Sequence, residues 1–517
     1  MPRAFAFTRP LAVAAAFALG LAGASFAQAA DLKRAEGALL QEQWADYEAD
    51  RRKSIVELQP FRRSAETRLS DGTGIRLTSL NPGVNSWFLL DVTDTPALVF
   101  ERFGAVTHCT PWDGRDPELA SAAASGLPYA PVCEGRAFLR NKVNGSRTTR
   151  EAVAEFLRDK VVFGESIVGM IKGSFYEDAY LRSGEVIARE DPSTVASALG
   201  RAKLSSHPEI RAYFGFAPEG AEGGMQAGNW YAVKDAPGIY ASAMQPGMIA
   251  PDILDGPGRT HRLDSVERRA DVYLVAFDLA RFELGFEVGT DHPRLDWSPR
   301  PPAAVRVAGL PGPDGFDTAA PLRRTGMLNP ALADRVAATF AGGYKRSHSA
   351  WRAGDLAYVN KGSHYGFLSN GVIFSKLHPG LSTIFVLDDG TIHMRKWRDE
   401  DRALLPRVRF ARQNGVPLIN DGIPGDQVTS WLGGNWSGSA EAELRTLRAG
   451  ACMKTTQGRE FLIYAYFSTA TPSAMARTFQ AYGCDHAMLL DMNAQEHTYM
   501  ALYTRDADGL VPRHLVS

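Results

Sequence analysis

The sequence predicts an α+β fold, built on a mixed β-sheet with flanking helices and a C-terminal β-α-β crossover, and preceded by a smaller α+β N-terminal domain. Near the C-terminus an apolar run at 461–467, an amphipathic segment from Thr471 and a second apolar run ending at Asp491 form the crossover. Strand-like runs separated by turn signals lie between 271 and 394. A chain of 517 residues also exceeds what one core usually serves, so two domains are expected.

The first 29 residues have the pattern of a secretory signal peptide. Arg3 and Arg9 supply positive charge, residues 11–24 are apolar and small, and residues 27–29 offer a small-x-small cleavage site. A membrane anchor is the alternative, but the apolar core is short and alanine-rich for a span that needs ~20 residues. We expect export to the periplasm or the medium, with no membrane span in the mature chain.

The charge balance argues against a nucleic-acid partner. The 57 basic and 58 acidic residues give a net charge of −1, whereas nucleic-acid binding proteins usually carry a basic face and a high pI.

The four cysteines fall into two separated pairs, Cys109 with Cys133 and Cys452 with Cys484. In an oxidising compartment an even number favours disulfides over free thiols, and we expect local pairing. Each closed loop would contribute about 3 kcal/mol. The absence of a C-x-x-C motif disfavours a zinc knuckle or a thioredoxin-like redox role.

The region from 30 to 222 is expected to form an N-terminal α+β domain of unknown function. It contains a charged, helix-like start at 31–53, a β-looking stretch at 87–100 and a capping box at Thr148. The glycine-rich stretch 215–228 is the linker candidate and separates this domain from a second one at 223–517.

Five strand-like runs follow in the second domain, and the turn 388–390 joins the last two as a hairpin. They are 271–277, 282–288, 372–374, 383–387 and 391–394.

The C-terminal unit has the most complete local signals. Thr471 is a helix N-cap followed by Pro472 at the first helical position, and Gly483 ends the helix. The two flanking strands are expected to be parallel, and ligands of such sheets collect beyond the carboxyl ends of the strands. Asp491 ends the second strand and is therefore the main candidate for chemistry. A hairpin at 455–458 would bring Cys452 and Cys484 together at the opposite end.

Standard catalytic signatures are missing from the chain. There is no H-E-x-x-H, Walker loop, dinucleotide fingerprint or G-x-S-x-G elbow, which argues against zinc peptidases and serine hydrolases. No motif requires a cofactor. A divalent cation near Asp491 could use Asn420 and Asp421 as hard oxygen ligands.

Two polar segments flank apolar runs. Arg412, Gln413, Asn414 and Asp421 surround a short apolar stretch and suggest an edge that faces a sugar or phosphate, since amides and guanidinium make directional hydrogen bonds. Two turns flanking an ordinary strand are the alternative.

The segment Gly342-Gly343-Tyr344-Lys345 follows a helix-like stretch from Asn329. Its glycines either allow backbone to approach a ligand or cap that helix.

One histidine differs from the others. His497 follows Asp491 by six positions, so a returning loop could pair it with the carboxylate as a base. The remaining candidates are expected to be surface or satisfied core histidines: His364, His378, His393 and His486.

Together these segments resemble the phosphodiester glycosidase family, whose best-known member removes N-acetylglucosamine to uncover mannose 6-phosphate. The resemblance covers about residues 230–503. The family's Asn-Gly-Gly-Phe matches 341–344, where Ala341 replaces Asn, and its Leu-Asp-Gly-Gly matches 490–493, where Met492 and Asn493 replace the glycines.

The resemblance implies an exported hydrolase of a glycosyl phosphodiester or a related envelope or exopolysaccharide linkage. Asp491 would be the principal carboxylate, Asp421 a second one and His497 a base, with carboxylates about 5 to 10 Å apart. Arg412 or Lys345 would clamp the phosphate. The other substrate-binding candidates are Gln413, Asn414, Gly342, Gly343 and Asn493.

Two alternatives remain open. The chain could be a non-catalytic glycan-binding envelope protein that has lost the Gly-Gly pattern, or the N-terminal region could be the working part.

Overall fold

The computed structural model describes most of the C-terminal half of the chain and shorter parts of the N-terminal half. The described residues are 38, 41, 45, 58–68, 74–84, 87–92, 95–102, 105–109, 118–125, 130–132, 137–139, 186–187, 199–286, 335–343, 366–369, 371–429, 444–493, 498–506 and 509–516. The proposed signal peptide and the capping box at Thr148 lie outside them.

The N-terminal part contains an antiparallel five-stranded meander in which each strand pairs with the next along the chain. Its strands are β1 (Arg63–Arg68), β2 (Gly74–Ser79), β3 (Trp87–Val92), β4 (Thr95–Arg102) and β5 (Ala105–Cys109). The β-looking stretch predicted at 87–100 is the β3-β4 hairpin. Three short elements follow: α1 (Glu118–Ala124), β6 (Ala130–Val132) and β7 (Ala137–Leu139).

A small three-stranded sheet precedes the main body, in the order β10-β9-β8. Its strands are β8 (Val186–Ile187), β9 (Glu209–Ile210) and β10 (Met225–Gln226). The glycine-rich stretch 215–228 lies partly in this sheet, and its Met225 and Ala227 are buried in the same core as the main sheet. The division of the chain near residue 222 stays a prediction.

The main sheet has eight strands. They are β11 (Tyr231–Ala232), β12 (Ile239–Met244), β13 (Val272–Asp278), β20 (Ile419–Asn420), β21 (Ile423–Pro424), β22 (Thr446–Thr456), β23 (Arg459–Ala470) and β24 (His486–Met492). Their spatial order is β11-β12-β13-β23-β22-β24-β20-β21.

Two further sheets pack near it. A five-stranded antiparallel sheet has the order β16-β15-β19-β17-β18, and a three-stranded sheet has the order β14-β25-β26. Their strands are β14 (Ala338–Phe340), β15 (Phe367–Ser369), β16 (Val372–Ser375), β17 (Ser382–Leu387), β18 (Ile392–Lys396), β19 (Val408–Gln413), β25 (Met500–Asp506) and β26 (Gly509–His514).

Only short helical segments accompany these sheets in the described residues. The α-helices are α2 (Pro251–Leu254) and α3 (Pro472–Ala481), and the 3-10 segments are Pro246–Met248, Glu267–Arg269 and Asp399–Arg407. The α+β class is thereby confirmed, with strands predominating. No described helix has the length and apolarity that crossing a membrane requires.

The C-terminal β-α-β unit forms as predicted from β23, α3 and β24. The Thr471 hydroxyl accepts a hydrogen bond from the Ala474 amide at 3.3 Å and caps α3. Gly483 follows the helix with φ +72°, a left-handed conformation that glycine adopts without strain. Every residue of α3 is buried. The helix is therefore packed on all sides, whereas an amphipathic helix would bury one face only.

One strand separates the two parallel strands of this unit. β22 pairs antiparallel with both β23 and β24, so these two run in the same direction without touching along their length. The hairpin predicted at 455–458 is confirmed, with Gln457 and Gly458 at positive φ in the turn. It places β22 between the parallel strands.

The buried Arg477 of α3 joins the helix to the segment 256–260. Its guanidinium donates hydrogen bonds to the Gly256, Pro257 and Gly258 carbonyls and to the Thr260 hydroxyl at 2.8–3.1 Å. This segment therefore covers one side of α3.

Two local expectations are wrong. Residues 282–286 of the run 282–288 form no strand, although Phe282 packs edge-on against Phe277 at 5.8 Å between ring centroids. The helix-like stretch before Gly342 ends in strand β14, because Ala338–Phe340 pairs with β25. The glycines therefore do not cap a helix.

Candidate active site at the end of β24

Asp491 lies in a β-bulge close to the carboxyl end of β24. Arg448 pairs with Met492 and Gly450 pairs with Leu489, so two residues of β24, Leu490 and Asp491, oppose a single residue of β22. The Asp491 side chain is half-buried, and its Oδ1 accepts a hydrogen bond from the Met492 amide at 2.8 Å. Bulges of this kind re-aim side chains and occur often beside active sites.

A buried tyrosine accompanies this carboxylate. Tyr464 is fully buried, and its hydroxyl donates to the Thr498 carbonyl at 2.7 Å. Burial first, and then the charges of Tyr466 and Asp491, hold the pKa of Tyr464 well above its ordinary value. The phenol therefore stays neutral as a hydrogen-bond donor beside the Asp491 carboxylate.

The backbone after Asp491 adopts a left-handed conformation, which is usually found at glycine. Asn493 has φ +76°, in the left-handed region that asparagine tolerates better than most residues. Its Oδ1 accepts a hydrogen bond from the Thr446 hydroxyl at 3.1 Å. The Met492 side chain is buried, with Sδ 3.4 Å from Arg448. Both side chains that replace the family's glycines thus make contacts within the chain.

Arg448 is a buried cation one residue away from the bulge. Its Nε donates to the Ala470 carbonyl and its Nη2 to the Leu444 carbonyl, each at 2.8 Å. These bonds tie the ends of β22 and β23 together where Asp491 emerges.

The two upstream polar segments meet each other. Asn414 Nδ2 donates to the Gly342 carbonyl at 2.6 Å, and Arg412 Nη2 donates to the Gly343 carbonyl at 3.0 Å. Arg412 Nε also donates to Asn414 Oδ1 at 3.1 Å. Gly343 has φ +106°, and a Cβ there would lie 2.4 Å from Asn414 Nδ2. The absence of a side chain at Gly343 therefore leaves room for the Asn414 amide.

The Gly342-Gly343 segment is connected to the surroundings of Asp491. The Ala341 amide donates to the Tyr499 carbonyl at 2.9 Å. The preceding Phe340 ring lies 5.4 Å from the Tyr464 ring. Tyr464 thus contacts Phe340, which precedes the glycine segment, and the charge of Asp491 contributes to its raised pKa.

Gln413 and Asp421 lie apart from this group. Gln413 is fully buried, with its amide bonded to both the nitrogen and the carbonyl of His378 at 2.7 and 2.8 Å, so it anchors a loop. Asp421 is exposed and follows Asn420, which pairs with His486 at the start of β24. Five strand residues, roughly 17 Å, separate that end from Asp491.

The expected pairing of Asp421 with Asp491 is therefore not formed, since the two carboxylates lie at opposite ends of one strand. The same separation prevents Asn420 and Asp421 from joining Asp491 around a cation. Across the described residues, no three His, Cys, Asp or Glu side chains gather as metal ligands would.

His497 and Lys345 lie outside the described residues, as does Cys133, whereas Cys109 is disulfide-bonded. The bond between Cys452 and Cys484 is confirmed, with the Cα atoms 6.0 Å apart at the end of the sheet opposite Asp491.

The histidines expected to be structural are buried or half-buried where they are described. His486 is buried and its Nε2 lies 2.7 Å from the Ser382 hydroxyl, which joins β24 to β17. His393 is half-buried in β18. His364 lies outside the described residues.

Sequence reasoning did not select Tyr464, Arg448 or Thr446. Tyr464 is one of several aromatics in an apolar run, so nothing local distinguishes it. Arg448 carried a usable signal, because a charged residue inside the apolar stretch that ends at Cys452 is unusual in a buried strand.

Comparisons with known proteins give slight likenesses only. No protein-family model matches the chain, and no curated protein matches it. Among solved structures, the chain is similar to the zebrafish N-acetylglucosamine-1-phosphodiester alpha-N-acetylglucosaminidase catalytic domain, auto-inhibited by its pro-peptide. The identity is 12% over 55% of this chain and 79% of that one, with a TM-score of 0.31.

A second similar structure is a protein of Burkholderia pseudomallei, with 10% identity over 88% of this chain and 96% of that one, and a TM-score of 0.17. Likenesses of this size do not establish a family. The relation to phosphodiester glycosidases therefore stays a resemblance in sequence pattern.

Proposed function

We propose that the chain is an exported hydrolase that cleaves a glycosyl phosphodiester or a related glycan linkage, with Asp491 as its catalytic carboxylate. One observation carries the proposal: Asp491 is half-buried in a bulge beside the neutral, buried hydroxyl of Tyr464. The resemblance of 341–344 and 490–493 to the family motifs supplies the class of substrate.

A single carboxylate is enough for this reaction. Asp491 takes a proton from water as the water oxygen attacks the anomeric carbon, and the bond from that carbon to the phosphate oxygen breaks. The phosphomonoester leaves with the electron pair. Its second pKa is roughly 6, so the leaving group needs little protonation. The remote position of Asp421 is therefore compatible with hydrolysis.

The other site residues act by positioning. Arg412 and Asn414 hold the Gly342-Gly343 carbonyls through two hydrogen bonds of 2.6 and 3.0 Å, and Arg412 Nε donates a third, of 3.1 Å, to Asn414 Oδ1. Arg412 is only 9% exposed, so we assign its guanidinium to the glycine segment. Another cation would then bind the substrate phosphate, and Lys345 is the candidate from the sequence.

Export is part of the proposal. The N-terminal pattern of residues 1–29 and the buried disulfide between Cys452 and Cys484 both suit an oxidising compartment outside the cytoplasm.

The test is the variant Asp491→Asn with methyl N-acetylglucosamine-1-phosphate as substrate. Asparagine preserves the shape of the side chain but cannot accept the proton, so turnover should fall by a factor of about 10²–10⁴. Asp252→Asn is the matched control because Asp252 is exposed in α2. Unchanged turnover in Asp491→Asn removes Asp491 from the mechanism.

A second candidate function is glycan binding without turnover. The replacement of the family's Asn by Ala341 and of its glycines by Met492 and Asn493 favours it. Glycan binding by the purified chain, with no product released on long incubation, would select this alternative.

A further inference from the structure

We propose that a groove formed by residues 211–225 binds a neutral oligosaccharide as an accessory site, separate from Asp491. The choice of a glycan as ligand rests on the proposed function; the existence of the groove does not. We call it the aromatic groove. The residues that line it include Arg211, Tyr213, Phe214, Phe216, Glu222 and Gly224.

Aromatic side chains give the groove a binding surface. Its volume is about 300 Å³, at the lower end of the range for ligand sites. Tyr213 is 43% exposed, and among the described residues only Ile423, at 41%, is a comparably exposed large apolar side chain. The Phe214 and Phe216 rings stack with centroids 5.1 Å apart. An exposed aromatic ring in a concave surface is typical of a recognition site.

A buried acceptor lies directly behind the groove. Glu209 is 6% exposed, and its Oε2 has no hydrogen-bond partner within the described parts of the chain. Its carboxylate packs against Gly224, where a Cβ would lie 2.6 Å from Oε1. A buried carboxylate oxygen without a donor is costly. This carboxylate lies behind Gly224, which lines the groove.

These features together favour a sugar chain. A pyranose has an apolar face of C–H groups, which suits an aromatic ring, and an equator of hydroxyls, which suits carboxylate acceptors and guanidinium donors. Arg211 and Glu222 line the groove with one charge of each sign, so neither a polyanion nor a polycation is favoured. The fit is therefore to a neutral oligosaccharide.

The aromatic groove is connected to the region of Asp491 through one row of the main sheet. The Phe214 ring packs on Tyr273 at 5.0 Å. Tyr273 pairs with Tyr466, which pairs with Ala449, which opposes the bulge that contains Asp491. Three strand spacings, about 14 Å, separate the strands of Tyr273 and Asp491. A single sugar ring is shorter than that distance, so only an oligosaccharide could contact both regions.

The experiment measures binding of three neutral hexasaccharides, of β-1,4-linked N-acetylglucosamine, β-1,4-linked glucose and α-1,4-linked glucose, by calorimetry. The protein is the full chain carrying Asp491→Asn, which prevents turnover during the titration. Tyr213→Ala in that chain should weaken binding roughly five- to tenfold. Tyr213→Phe should retain it, because the ring remains. Ile423→Ala is the matched control for loss of an exposed apolar side chain.

Absence of binding by all three hexasaccharides overturns the groove proposal, and so does equal affinity of Tyr213→Ala and the parent chain. Binding that depends on Tyr213 supports the groove proposal whether or not the wild-type chain hydrolyses a glycosyl phosphodiester. The two proposals can therefore fail separately.

Discussion

The hydroxyl of Tyr464 donates a 2.7 Å hydrogen bond to the carbonyl of Thr498. Tyr464 lies in the middle of β23, whereas Thr498 comes after Asp491 and the end of β24 in the sequence. This bond ties Thr498 to β23, and it makes the position of Thr498 dependent on a buried phenol.

Replacing Tyr464 by phenylalanine should destabilise the fold and lower turnover together. The variant leaves the Thr498 carbonyl without its phenol donor, at a cost of about 1–3 kcal/mol. Urea unfolding would measure the free energy, and hydrolysis of methyl N-acetylglucosamine-1-phosphate the activity. Tyr240→Phe is the control, since this half-buried tyrosine packs its ring on Phe461. Equal stability of the two variants would contradict the role given to the hydroxyl.

The two neighbouring glycines should respond differently to alanine. In Gly343→Ala the new Cβ would lie 2.4 Å from Asn414 Nδ2 at φ +106°, so we expect a loss of about 1–3 kcal/mol. In Gly342→Ala no atom lies within 4 Å of the new Cβ, so the change should be close to zero. Thermal unfolding of the pair tests this. A larger loss at 342 would refute the assigned contact.

Removing the disulfide should weaken the fold without moving Asp491. The double variant Cys452→Ala and Cys484→Ala opens a loop of 32 residues, and we expect a loss of about 3 kcal/mol. Because the bridge lies at the far end of β24, kcat of the folded variant should match the wild type. Unfolding of the wild type with and without reductant provides the comparison. A selective fall in kcat would show that the bridge positions the site.

Stability should fall in mild acid because of His486. Burial, with a smaller effect from Lys396 and Arg395, lowers the pKa of His486 to about 3. The folded chain keeps this imidazole neutral, whereas the unfolded chain binds a proton below about pH 6.5. Between these values the unfolded state holds more protons, so the free energy of unfolding decreases as the pH falls.

From pH 7.5 to 5 the contribution of His486 should be about 2 kcal/mol. Urea unfolding at the two pH values measures it, and His486→Gln keeps a partner for Ser382 while removing the titration. The variant should show a smaller pH effect than the wild type. Identical slopes would place the acid sensitivity elsewhere.

The sequence predicted those elements whose signals are local. Thr471, Pro472 and Gly483 mark both ends of α3, and the turn at 457–458 identifies the β22-β23 hairpin. Each signal acts within a few residues of the chain, so no tertiary information was needed.

Elements that depend on distant partners were not predictable in the same way. The helix-like stretch before Gly342 ends in a strand because Phe340 pairs with Met500, far along the chain. Local polarity grouped Gln413 with Asn414, yet strand alternation points neighbouring side chains in opposite directions. Gln413 consequently anchors His378, whereas Asn414 reaches Gly342.

The hydrogen bonds of Arg477 to the segment 256–260 have a consequence for the motions of the protein. Solvent reaches the amides of α3 only after that segment lifts away or the whole sheet opens. Deuterium uptake in 472–481 should therefore be among the slowest in the chain. The strand that carries Asp491 thus follows a helix that should open only rarely.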